Sequence, residues 1–167
     1  MKRLLVILAL LSCTAVYAGP KKETSVDMTT MKDVFIGWVD ISPDDWKALG
    51  YESEQAWSNV IVSNNQYFQD KCRKNLPGFQ ISGAKSKSEE NASNQSLYVK
   101  FSEVKFDTGS YRLYLSIHFI DPKSGSEIAS IPKQSFRGGH FSVNSCMQGA
   151  LDKLADKLQD EIGKAKK

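Results

Sequence analysis

The chain has 167 residues, 41% of them apolar and 25% charged, with 11 glycines, 5 prolines and 3 cysteines. This is ordinary globular composition, and it excludes collagen-like, coiled-coil, low-complexity and multi-span membrane chains. The formal charge is only +3 and no basic stripe is visible, so nucleic acid is not an expected partner.

Residues 1–18 read as a secretory signal peptide. Lys2 and Arg3 supply the positive start, and the apolar run 4–11 is shorter than the about 20 residues a bilayer span needs. Val16-Tyr17-Ala18 has small residues where a signal peptidase requires them, which makes Gly19 the expected first mature residue. Removing Lys2 and Arg3 from the 22 basic residues leaves 20 against 19 acidic, so the mature chain is almost neutral. A second export reading is open. Leu10-Leu11-Ser12-Cys13 resembles a bacterial lipobox, in which Cys13 carries lipid and ties the domain to a membrane. Residues 19–32 have no apolar period and serve as a flexible tether in either case.

Residues 33–163 are expected to form a single domain, with 164–167 a frayed tail. The segment 34–41 reads as a strand with apolar residues on both faces. Ser42-Pro43-Asp44-Asp45 then opens a short helix that Gly50 ends. Ser53 caps a long helix over 54–75, whose apolar face carries Trp57, Val60, Ile61, Phe68 and Cys72. Asn64 lies inside that stripe and is read as a buried amide satisfied by backbone. Leu76-Pro77-Gly78 stops the helix.

A short strand follows at 79–84, and 85–94 is a polar loop containing the sequons at Asn91 and Asn94. In the strand 97–106 the apolar phase slips, because Leu97, Val99 and Phe101 are in step while Val104 and Phe106 are not. A bulge near Ser102-Glu103 is the simplest repair. Asp107-Thr108-Gly109-Ser110 is a hairpin turn, and 111–119 alternates cleanly. Residues 121–125 form a second turn, and Pro132 marks the last strand, begun at 128–131, as interrupted or at an edge. Asn144 or Ser145 caps the closing helix, whose stripe is Met147, Ala150, Leu151, Leu154, Leu158 and Ile162.

The order β-α-β-β-β-β-α predicts an α+β fold. Its expected form is a single, mostly antiparallel sheet of four or five strands with both long helices on one face. This layout resembles the small α+β domains of bacterial exported accessory lipoproteins, namely the activators of cell-wall synthases and the periplasmic part of the curli-secretion lipoprotein. The likeness covers about 34–163 and lies in the order of elements and the Asp121-x-x-x-Gly125 turn. It implies fold and envelope location and carries over no functional residue. The middle of the chain also resembles the cystatin layout. The inhibitory Gln-x-Val-x-Gly hairpin of that family has only Gln80-Ile81-Ser82-Gly83 as a counterpart, one residue short and directly after the helix.

Chemistry-bearing residues are sparse. No nucleophile elbow, zinc-helix motif or P-loop is present, and two histidines without a Cys-x-x-Cys pair do not predict a metal. His118 falls on the polar side of a strand, and His140 follows two glycines with Ser142 and Ser145 close by. Trp38 and Trp57 sit on apolar faces and are assigned to the core. Trp46, Tyr51 and His140 are the candidate contacts for a partner or a glycan. Cys72 and Cys146 are expected to pair, because an exported chain meets an oxidising compartment and antiparallel helices would bring the two ends together. The resulting expectation is an exported, cofactor-free and non-enzymatic envelope domain that binds another envelope protein. A glycan- or ligand-binding module is the alternative, and a hydrolase of unknown type the third. Membrane contact is expected only if Cys13 is lipidated.

Overall fold

The computed structural model describes residues 31–42, 46–89, 95–139 and 142–164. Its elements are β1 (Asp33–Ile36), a short 3-10 turn (Lys47–Leu49), α1 (Glu54–Asn75), β2 (Gln80–Gly83), β3 (Leu97–Asp107), β4 (Arg112–Ile120), β5 (Glu127–Arg137) and α2 (Val143–Lys164). One five-stranded sheet has the order β2-β1-β3-β4-β5. β1 is parallel to both neighbours, whereas β3, β4 and β5 form an antiparallel meander. The sheet is therefore mixed, with the longer ladders antiparallel. Parallel pairing needs a long crossover, and α1 supplies it between β1 and β2.

Both helices lie on one face. Val34, Ile36, Leu97, Val99, Leu115 and Ile117 point toward them and are buried. Phe68 of α1 meets Phe101 of β3 edge-on, ring centroids 5.8 Å apart. Leu151, Leu154 and Leu158 of α2 have no exposed surface, as the apolar stripe predicts. On the opposite face Phe35, Ala84 and Tyr98 make a much smaller apolar cluster.

The bulge in β3 sits where the phase slip placed it. Register shifts between Ser102 and Lys105, and Glu103 takes a left-handed backbone with φ of 53°. β5 runs further than expected, to Arg137, because the chain bows out at Pro132-Lys133 and then resumes pairing. Lys133 has φ of 47°, and its amide donates to the Ser116 hydroxyl instead of the ladder, 3.2 Å away. Both turns are built on an aspartate. Asp107 accepts from the Gly109 amide and the Ser110 hydroxyl, and Asp121 from the Lys123 amide and the Ser124 hydroxyl. These donors hold both carboxyls below their ordinary range.

The expected Cys72–Cys146 bridge is corrected by the structure, in which both cysteines are buried and free. The cause is helix direction. β5 runs parallel to β1, so α1 and α2, each returning from one of them, run parallel and not antiparallel. Cross-helix bonds show it: Asn64 pairs with Asn144, Tyr67 with Asp152, and Asn75 with Asp156. Cys72 is thus level with the stretch from Asp152 to Asp156, at least six residues beyond Cys146. At 1.5 Å per residue this is about 9 Å along the axis, beyond the reach of a disulfide. The Cys146 thiol instead donates to the Gly139 carbonyl at 2.6 Å. Burial pushes the Cys72 thiol up to about 12.

Leu154→Ala removes a fully buried side chain and is expected to cost about 2–5 kcal/mol, read from denaturant midpoints. A thiol assay in denaturant without reductant is expected to find both cysteines of the domain reactive, whereas Cys72 stays unreactive in the native protein.

Candidate functional site

β1 is shorter than its apolar run. After Ile36 the chain stays extended, but no strand takes the place of β2 beside it. Gly37 donates to Val99 at 2.8 Å. The next groups off the sheet, the amide and carbonyl of Val39, are both met by one side chain, and the carbonyl also accepts from the Ile41 amide at 3.0 Å. Asn65 of α1 accepts from the Val39 amide at 2.8 Å and donates to the Val39 carbonyl at 2.9 Å, while a second donation reaches Ile61. Asn65 is only 1% exposed. One turn further on, Gln69 donates to the carbonyl of Ala84, just past β2, at 2.7 Å. A side chain at Gly83 would overlap that amide, which accounts for glycine there. The face of α1 toward the sheet therefore carries two amides that pin the carboxyl ends of β1 and β2.

Between these pinned ends and the first half of α1 lies an open groove of about 320 Å³. Trp38 and Asp40 line it from the end of β1, Ser58 and Val62 from α1, and Lys85 and Lys87 from the segment after β2. Trp57 is 5% exposed and forms the floor, and Val62 is 48% exposed at the rim. The Ser53 hydroxyl accepts from the Ala56 amide, which starts α1 at this point and sets Glu54 on the rim. Lys87 reaches across to Asp40 at 2.5 Å, and Ser42 donates to the same carboxylate at 3.0 Å. Asp40 raises the Lys87 pKa, so the ammonium stays charged at any physiological pH. The position agrees with a general rule for parallel strands, that ligands sit outside their carboxyl ends.

The sequence-derived candidates fall elsewhere. Trp46 and Tyr51 are half-buried and pack against the main core. Tyr51 stands edge-on to Trp57 at 4.9 Å, and the Lys47 ammonium lies 5.4 Å from the Trp46 ring centre. Tyr51 thus backs Trp57, and neither Trp46 nor Tyr51 lines the groove. His140 and Cys13 lie outside the described residues. Ser142 and Ser145, the partners considered for His140, exchange side-chain-to-amide bonds at 3.1 and 2.9 Å and so cap α2. The cap is thus Ser142, ahead of Asn144 and Ser145. Asn64 is buried as expected. Its amino group bonds to Val60 and Asn144, while its oxygen has no partner. Among the described residues no group of three metal-binding side chains converges, and no helix is long and apolar enough to cross a membrane.

No protein-family profile matches the chain, and no curated protein matches it in sequence. Solved structures do match in shape. One is a single-residue variant of the PelC dodecamer from Paraburkholderia phytofirmans, at 15% identity and a TM-score of 0.43, covering 77% of this chain and 90% of that one. A second is a candidate neuraminyllactose-binding hemagglutinin homolog from Helicobacter pylori, at 15% identity and a TM-score of 0.44, covering 83% and 89%. A third is a candidate lipoprotein from Caulobacter crescentus, at 11% identity and a TM-score of 0.32, covering 61% and 83%. At these scores the likeness assigns no function.

Asn65→Leu keeps the volume and removes the polar clamp, leaving the Val39 amide buried without a partner and its carbonyl with the Ile41 amide alone. The expected cost is about 1–3 kcal/mol, that of one orphaned buried group, measured as a fall in urea midpoint.

Proposed function

We propose that this chain is an exported binding domain of the cell envelope, soluble or tethered through Cys13, that seats a segment of another envelope protein in the groove beside Trp38. It acts there by binding and not by chemistry. The observation that supports this reading is the make-up of the groove. An apolar strip of Trp38 and Val62 is flanked by Asp40 and Glu54 on one hand and Lys85 and Lys87 on the other. A strip of this kind takes one large apolar side chain, and the surrounding charges of both signs select what flanks it. A volume of about 320 Å³ suits one such anchor. The large apolar side chains exposed among the described residues are Val62, Tyr111 and Tyr114. Among the described residues there is thus no broad apolar docking face.

One observation favours the second reading, a saccharide. Ser42, Ser58 and Ser86 line the same groove as the Trp38 indole, a combination suited to a sugar ring. The deciding experiment places a photo-crosslinking residue at Val62 in the native envelope and repeats it in a Trp38→Ala background. The protein reading expects one dominant protein adduct that disappears with Trp38→Ala. Adduct yield indifferent to Trp38 would reject it. Saturable shifts of the Trp38 indole resonance on adding cell-wall saccharide fragments would replace it by the second reading.

A further inference from the structure

The sheet face away from the helices carries a side-chain chain that alternation alone does not reveal. Three cross-strand positions set it up. Lys100 lies directly opposite His118, and Ser102 opposite Ser116, on paired β3 and β4. Glu127 begins β5 on the other side of His118. The Ser102 hydroxyl is 2.6 Å from His118 Nε2, and His118 Nδ1 is 2.7 Å from the Glu127 carboxylate. A carboxylate can only accept, so Nδ1 carries the ring proton of the neutral imidazole. Nε2 is then the acceptor for the Ser102 hydroxyl. This is the arrangement of nucleophile, base and orienting acid used in acyl transfer, recognised by roles and geometry and not by chain order.

The backbone around it is irregular in a way that aims these groups. Ser102 is the last residue before the β3 bulge, and Glu103 within it has φ of 53°. Across β4, Lys133 has φ of 47°. Ser116 joins the two irregularities, donating to Glu103 at 2.9 Å and accepting from the Lys133 amide. Bulges and left-handed non-glycine residues concentrate beside reactive sites, where they re-aim side chains at some cost in strain. The His118 side chain is 25% exposed and the Glu127 side chain 47%, so the relay is reachable from solvent.

We propose that Ser102 is a nucleophile activated by His118, and that this face hydrolyses short-chain carboxylic esters. The inference goes beyond the binding reading, concerns the opposite face, and departs from the expectation of a chain without chemistry. Ser102 Oγ bonds to the ester carbonyl carbon as its proton passes to His118 Nε2. The carbon–alkoxide bond breaks, and that proton leaves with the alcohol. Water then attacks the acyl-Ser102 carbon, gives its proton to Nε2, and the restored Ser102 takes that proton as the acid departs. Lys100, opposite His118 in the ladder and two residues before Ser102, brings a cation to the same face. Among the described residues neither helix covers this face and no tunnel opens on it for a long acyl chain. Short acyl groups on an alcohol of any size fit that openness.

The test treats the purified mature chain with a fluorophosphonate probe and with 4-nitrophenyl acetate. Mass spectrometry is expected to find the probe on Ser102, and Ser102→Ala to abolish it. His118→Ala is expected to lower the ester rate about 10²-fold or more. Glu127 positions the ring without touching substrate, so Glu127→Gln is expected to lower kcat and alter the pH profile while leaving KM unchanged. Should Ser102→Ala unfold, Ser102→Cys keeps a nucleophile in place, and its alkylation by iodoacetamide is expected to depend on His118. A folded wild type that takes no probe at Ser102, or labelling and rates indifferent to His118, would overturn the proposal.

Discussion

One buried side-chain amide holds the candidate site in place. Past Ile36 the first strand has no neighbour to pair with on its β2 side, yet its backbone lies under α1 and away from water. A buried peptide group without a partner costs more than an ordinary hydrogen bond contributes. Asn65 answers both groups of Val39 at once, as a neighbouring strand would. Because Trp38 and Asp40 flank Val39 in the chain, the same clamp fixes the wall of the groove. Gln69 repeats the device at Ala84 and fixes the loop that carries Lys85 and Lys87. Stability and the shape of the site are thus coupled through one face of one helix.

The sense of the helices follows from the sheet. Two strands of equal direction, β1 and β5, each send the chain back along a helix, and the helices must then run together. Their seam is polar at its outer margin, with Tyr67 and Lys71 both reaching Asp152, and apolar toward the sheet. Tyr67 is pushed up to about 12 by burial and by that carboxylate, so it stays a hydrogen-bond donor throughout the physiological range. The parallel arrangement also sets the two cysteines apart. Each then behaves as a small buried residue and not as half of a covalent tie.

Much of the fold was legible in the sequence because local rules govern it. The 3.6-residue stripe of Leu151, Leu154 and Leu158, the aspartate-led turns and the slipped phase before Val104 each need only neighbours in the chain to be read. What local pattern cannot supply is register and direction. Alternation put His118 on the polar face of β4, but only the ladder brings Ser102 and Glu127 to its two nitrogens. Periodicity put Asn64 in the apolar stripe and drew attention to it, whereas the clamp is its neighbour Asn65, whose partner lies 26 residues away. Trp38 and Trp57 were assigned to the core from their apolar faces. Trp57 is buried, and Trp38 is partly buried against the core while its remaining surface lines the groove, because the β2 side of its segment loses its neighbour just before it.

Hydrogen exchange at the Val39 amide tests the clamp most directly, since its bond is to Asn65 and not to the sheet. In the wild-type chain this amide is expected to exchange as slowly as the amides of β1. In Asn65→Ala it is expected to exchange fast while the amides of β3 and β4 keep their protection. A Val39 amide that exchanges freely in the wild type, or one that stays protected without Asn65, would contradict the account.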